Sequence, residues 1–128
     1  MAEPDYNEPE PVVIEESFTG RIDLEFEGKQ LYLDQDKTLL SVGRDEDNDL
    51  SVRNRYVSRH HCTIEFRRGR FVFTDTSSNG TYLVDADRQV TLVKGGKTFL
   101  PDKGLIGLGY RPDKPEAAVI RFRIADSS

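Results

Sequence analysis

The sequence predicts an all-β domain, a sandwich or barrel of about eleven short, mostly antiparallel strands. Three observations predict it. Apolar and polar residues alternate with a period of two, as in Arg21-Ile22-Asp23-Leu24-Glu25-Phe26 and again from His61 to Arg67. Turn signals built on glycine, proline, asparagine and aspartate recur between these runs. No segment carries a convincing helical period.

Each element follows from these signals. Ile22, Leu24 and Phe26 face a core from a half-buried first strand, and Glu27-Gly28-Lys29 turns it into a hairpin with Leu31-Tyr32-Leu33. Thr38 to Arg44 is the third strand, Asp45 to Asp49 a polar loop and Leu50-Ser51-Val52 a short fourth strand. His61 to Arg67 turns inward with Cys62, Ile64 and Phe66, and Arg68-Gly69-Arg70 returns it to Phe71–Thr74. Gly80–Val84, Gln89–Val93 and Thr98–Leu100 follow, joined by Asp85 to Arg88 and by Lys94-Gly95-Gly96-Lys97. Pro101 to Gly104 turns into Leu105–Leu108. A loop from Tyr110 to Ala118 leads to the last strand, Val119–Ile124, with Ile120, Phe122 and Ile124 on one face.

The 128 residues fit one domain, long enough to bury a core of its own. Residues 1–18 hold six acids, no base, and Pro4, Pro9 and Pro11, and they read as an acidic, disordered tail. Residues 19–126 form the folded domain. Thr19 reads as the residue leading into the first strand, or alternatively as a phosphorylation site that docks back onto the domain. The net charge is −5 and the tail carries −6, which leaves the domain close to neutral. Within it, Arg53, Arg55, Arg59, Arg67, Arg68 and Arg70 face only Glu65, which predicts a basic surface near the loops. The single cysteine, Cys62, rules out an internal disulfide and reads as a small buried hydrophobe. No run is long and apolar enough for a membrane helix, and the acidic start is unlike a signal peptide.

Three runs at strand-to-loop junctions carry the chemistry: Ser41-Val42-Gly43-Arg44, Val57-Ser58-Arg59-His60-His61, and Asp75-Thr76-Ser77-Ser78-Asn79-Gly80-Thr81. Their loops emerge at one end if the strands stack in one sheet, and they gather Arg44, Ser58, Arg59, Ser78 and Asn79 into a polar patch. A guanidinium forks onto two phosphate oxygens. Ser58 and Ser78 offer hydroxyls, and Ser58 a backbone N–H as well. An asparagine amide donates and accepts at once, which suits the main chain of an extended peptide. Arg59 is either a second cation for the phosphate or a solvated side chain. Neighbouring residues on a strand face opposite ways, so His60 and His61 make a poor chelate. Asp45 to Asp49 lacks the glycine and the distant glutamate of a calcium loop. No metal site, cofactor or catalytic constellation is expected.

The ordered triplet Gly-Arg, Ser-x-x-His and Ser-Asn-Gly, followed by an all-β tail, resembles the forkhead-associated (FHA) domain family from roughly Leu39 to Ile124. The resemblance implies an FHA/SMAD-like β-sandwich that binds phosphothreonine peptides without catalysis. It makes Ser58 a phosphate contact and His61 a structural support, with Gly43 and Gly80 shaping the loops. It also implies a preference for phosphothreonine over phosphoserine, through a small pocket for the threonine methyl. The sequence departs from the family in having Asp102-Lys103 where many relatives have Gly-Asp, and only a local adjustment of the fold is expected there. The expected partner is a phosphothreonine-containing protein or peptide, bound with a dissociation constant on the order of micromolar. Neither nucleic acid nor a membrane is expected as a partner. A monomer acting in signalling is expected, in the cytoplasm, or in the nucleus if the source is eukaryotic. The alternatives are an FHA-like domain that binds without phosphate, and a nucleic-acid-binding β domain using the Arg53–Arg70 surface.

Overall fold

The computed structural model describes residues 19–125; the acidic tail expected over residues 1–18 lies outside the described residues. Eleven strands are present: β1 (Arg21–Phe26), β2 (Lys29–Asp34), β3 (Leu39–Gly43), β4 (Leu50–Ser51), β5 (Cys62–Arg67), β6 (Arg70–Asp75), β7 (Thr81–Asp85), β8 (Val90–Val93), β9 (Lys97–Phe99), β10 (Lys103–Leu108) and β11 (Ala118–Ala125). Among the described residues there is no helix, hence none long and apolar enough to cross a membrane.

The strands form two sheets. One has six strands in the order β2-β1-β11-β10-β7-β8, and the other has five in the order β4-β3-β5-β6-β9. All pairs are antiparallel except the parallel pair β3–β4. The fold is therefore the β-sandwich expected from alternation and turns, and the barrel is excluded.

Alternation sets the core. β1 buries Ile22, Leu24 and Phe26, β5 buries Cys62, Ile64 and Phe66, and β11 buries Ile120 and Phe122. Each set is the period-two face that a pleated strand presents to one side. The inward faces of both sheets merge into a single apolar cluster. Cys62 lies inside it as a free thiol, and burial raises its pKa well above the ordinary value.

Two hairpins fix the register. Glu27 and Gly28 have φ of 50° and 85° between Phe26 and its partner Lys29, and Arg68 and Gly69 have 51° and 83° between Arg67 and Arg70. Two consecutive positive φ values make a type I′ turn, whose twist matches that of the flanking strands.

The sandwich has two poles. β5 leaves one pole at Cys62, opposite Asp75, and reaches the other at Arg67, opposite Arg70. Thr19, Gly69, Asp102, Lys103 and Ala125 line one depression at the second pole. That placement corrects two expectations. Thr19 sits at the pole opposite the loops of the three motifs, so it cannot dock back onto them in place. The Arg53–Arg70 surface is split, because Arg67, Arg68 and Arg70 belong to the second pole while Arg55 and Arg59 line the first. The unusual Asp102-Lys103 turn is also remote from the motifs. There the Asp102 carbonyl accepts a hydrogen bond from the Ile124 N–H at 2.7 Å, and Lys103 starts β10.

Candidate functional site

At the first pole, the loops after β3, before β5 and after β6 meet around an open bowl of about 350 Å3. Its lining is Arg44, Arg55, Tyr56, Val57, Ser58, Arg59, Thr76, Ser78 and Asn79. All five residues expected to bind are brought together here. The lining holds three guanidinium groups and no carboxylate, so its field favours an anion although the whole chain is acidic. The three loops spring from one end of one sheet, as expected, since β3, β5 and β6 are neighbours in the five-stranded sheet. β6 and β7 belong to different sheets, and the loop between them crosses the sandwich.

The β3–β4 loop is locked to the chain before β5. The Arg44 N–H donates to the Ser58 carbonyl at 2.9 Å and the Asp45 N–H to the Arg59 carbonyl at 3.2 Å. The Asn48 side-chain amide bridges the same two stretches, donating to the carbonyls of Asp45 at 2.9 Å and Arg59 at 2.8 Å. Gly43 makes this approach possible, since a Cβ at that position would overlap the Arg59 carbonyl and come within 2.8 Å of Asn48 Nδ2. Arg44 Nη1 donates to the Val57 carbonyl at 2.6 Å, which aims the guanidinium at the bowl. An arginine has five N–H donors, so most remain available.

Val57 is buried and anchors the middle loop, leaving its neighbours at the rim. The Ser58 N–H donates to His61 Nδ1 at 3.0 Å, and the Ser58 hydroxyl accepts from the Ser78 N–H at 3.0 Å. The Asn79 side-chain nitrogen donates to the Tyr56 carbonyl at 3.1 Å, and its side-chain oxygen accepts no hydrogen bond among the described residues. The Arg59 side chain is exposed and makes no hydrogen bond or ion pair among the described residues, while its carbonyl does the structural work. Arg55 adds a third cation. Its guanidinium stands 5.2 Å from the Tyr56 ring centroid and donates to the Tyr56 hydroxyl at 3.1 Å.

His61 holds the pole together. Its Nδ1 accepts from Ser58, so its proton sits on Nε2, which lies 3.1 Å from both the Gly80 carbonyl and the Thr81 hydroxyl. The ring has no exposed surface. Burial lowers its pKa from the ordinary histidine value, against the opposing pull of the Gly80 carbonyl and the Asp75 carboxylate. His61 is therefore a neutral pillar, the support expected of it, and it ties β5 in one sheet to β7 in the other. His60 points away and is exposed, with Nε2 3.6 Å from Asp45 Oδ2, so the two imidazoles share no ligand. His60 clusters instead with the half-buried Asp45 and the exposed Asp47.

Asp75 is the residue that the sequence reading passed over. It is 2% exposed and accepts from the Ser77 hydroxyl and the Thr81 hydroxyl, each at 2.7 Å, through Oδ1. Its Oδ2 accepts from the Gly95 N–H at 2.8 Å and the Ser77 N–H at 3.3 Å. The Ser77 hydroxyl in turn accepts from the Gly80 N–H at 2.8 Å. This buried carboxylate shapes the loop that presents Ser78 and Asn79. Arg55, Tyr56, Asn48 and Thr76 were missed as well. Only Arg55 carried a signal in the sequence, as one of the six arginines of the basic run.

The fold is a two-sheet β-sandwich with a bowl at one pole lined by three arginines and no carboxylate. A sequence model described as FHA domain matches residues 40–109, more than half of the chain, and the chain belongs to the FHA domain family. A search of curated protein sequences finds no significant match. Among solved structures, the chain is similar to the FHA-1 domain of Rv1747 from Mycobacterium tuberculosis, with 25% identity and a TM-score of 0.63 over 84% of this chain and 99% of that one. It is also similar to the MEK1 FHA domain in complex with a phosphothreonine peptide of HOP1, with 23% identity and a TM-score of 0.62 over 82% and 97% of the two chains. A third similar structure comes from work on phosphothreonine-dependent FHA domain interactions, with 21% identity and a TM-score of 0.60 over 84% and 98%.

Proposed function

We propose that residues 19–126 of this chain are a phosphothreonine-peptide recognition module that joins proteins when one of them is phosphorylated. The observation that carries this reading is the convergence of Arg44, Ser58, Arg59, Ser78 and Asn79 on one bowl without a carboxylate. A phosphate monoester brings close to two negative charges and three strong acceptor oxygens. Arg44 takes two of those oxygens, the Ser58 and Ser78 hydroxyls take the third, and Arg59 neutralises the remaining charge. Asn79 pairs with the main chain of the peptide. Membership of the family and the phosphothreonine ligands of its structural neighbours support the same reading. So does His61, which is buried and engaged at both ring nitrogens and holds the loops in place. The tail of residues 1–18 lies outside this module. A role in cytoplasmic or nuclear signalling fits such a switchable contact. The division of the Arg53–Arg70 arginines between two poles favours this reading over a nucleic-acid-binding surface.

The test is calorimetry with the best peptide from an oriented phosphothreonine library. The expected dissociation constant is on the order of micromolar, and the unphosphorylated peptide does not bind. Arg44→Ala removes at least one charge-assisted pair of roughly 1.5–3 kcal/mol and weakens binding about tenfold to a hundredfold. Undiminished binding by Arg44→Ala, or equal binding of the unphosphorylated peptide, would overturn the assignment.

A further inference from the structure

We propose that the segment Val12–Glu16 of one copy of this chain docks as an added strand on the open edge of β8 in a second copy. β8 ends the six-stranded sheet, and on its far side it meets no strand among the described residues. Open edges recruit further strands unless they are short or carry charge or proline. The other three edges are protected in this way: β2 carries Lys29 and Asp34, β4 has two residues, and β9 has three and begins with Lys97. β8 reads Val90-Thr91-Leu92-Val93 and carries neither charge nor proline. Val90 and Leu92 are 41% and 51% exposed. They lie on the outer face of the sheet, since the alternate residue Val93 and its neighbour Leu83 are buried. On the inner side a cleft of about 250 Å3 opens between β8 and β9, lined by Thr91, Thr98 and Phe99 among others.

Pattern and charge pick the occupant, and reach decides which copy supplies it. Arg88 precedes β8, and Lys94 follows it. The nearby acids are Asp85 and Asp87, and Asp85 turns its carboxylate to the N–H groups of Asp87 and Gln89 at 2.9 Å each. Val12-Val13-Ile14 is a β-branched run with Glu10 before it and Glu15-Glu16 after it. Laid antiparallel on β8, a single register satisfies both pattern and charge. It sets Val12 opposite Leu92 and Ile14 opposite Val90 on the outer face, and it brings Glu10 to Lys94 and Glu16 to Arg88 at the two ends. Val13 then falls opposite Thr91 and covers the cleft on the inner side. The β8 edge of a second copy is a poorer match, because the register that pairs Val90 with Leu92 sets Arg88 against Lys94. Thr19 leads into β1, and the place beyond β8 is five strand spacings from β1, about 24 Å. The three residues from Glu16 to Thr19 span about 10 Å. The segment cannot reach the β8 of its own molecule, so it comes from another one, and the chain associates where a monomer was expected.

Sedimentation equilibrium of the full chain from micromolar to millimolar concentration tests this. The expected result is association that grows with concentration and that Ile14→Lys and Leu92→Lys each abolish. Leu92 is exposed, so its variant keeps the fold, which circular dichroism checks. Glu10→Lys and Lys94→Glu should each weaken association about fivefold, and the chain carrying both changes should regain the wild-type strength. A monomer at every concentration overturns the proposal, as does a double variant no stronger than the single ones. Association that Leu92→Lys leaves intact but a phosphothreonine peptide displaces belongs to the arginine-lined bowl, and it overturns the proposal as well. Loss on Lys94→Glu without any response to Glu10→Lys or Ile14→Lys overturns it in favour of contact between two β8 edges.

Discussion

One imidazole with no exposed surface receives the Ser58 N–H on one nitrogen and reaches Gly80 and Thr81 from the other. A proton on Nδ1 would leave two donors facing each other, so the folded protein resists protonation of His61. Its pKa is lowered on folding, chiefly by burial. Above the ordinary value of about 6.5 both the folded and unfolded forms are neutral and stability is flat. As the pH falls below that value the unfolded chain takes up the proton first, and stability drops by up to about 1.4 kcal/mol per pH unit until the folded value is reached. Thermal melts between about pH 7.5 and 5.5 should show this loss, His61→Asn should flatten it, and His60→Asn should leave it in place. The imidazole's role was legible in the sequence only through family resemblance, because the bare pattern His60-His61 does not say which ring turns inward. Asp75 was not legible at all. An aspartate at the end of a strand looks like a turn former, and its four acceptor contacts reach residues as distant as Gly95, which no local pattern displays.

Eleven strands and both type I′ hairpins could be read from alternation and from glycine placement, because both signals act within a few residues. The pairing could not, since β1 joins β11 and β10 joins β7 across long stretches of chain. The single sheet envisaged under the three loops is present as β3-β5-β6, but that the third loop crosses to β7 in the other sheet could not be read. Between elements, the critical contact is the β3–β4 loop lying on the Arg59 carbonyl, with Gly43 at the point of closest approach. Gly43→Ala forces the two loops apart and should cost about 1–3 kcal/mol in urea denaturation. Phosphopeptide affinity should fall with it, because Arg44 and Arg59 ride on the separated loops. Unchanged stability and affinity would show that the carbonyl retreats freely.

Both sheets contribute to one apolar cluster that runs through the molecule, so the two layers cannot come apart independently. Ile120 lies in this core with no exposed surface. Ile120→Ala should lower stability by about 2–5 kcal/mol while leaving a single cooperative transition, seen alike by tyrosine fluorescence and circular dichroism. Affinity per folded molecule should be unchanged, because β11 contributes nothing to the bowl. Two separate transitions would contradict a shared core. The arrangement of the poles has a practical result. Ala125 pairs with Arg21 at the end of the sandwich remote from Arg44 and Ser58. A molecule immobilised on a sensor chip through the residues after Ala125 stands with its mouth toward the flowing solution, and affinities measured on that chip should equal those found free in buffer.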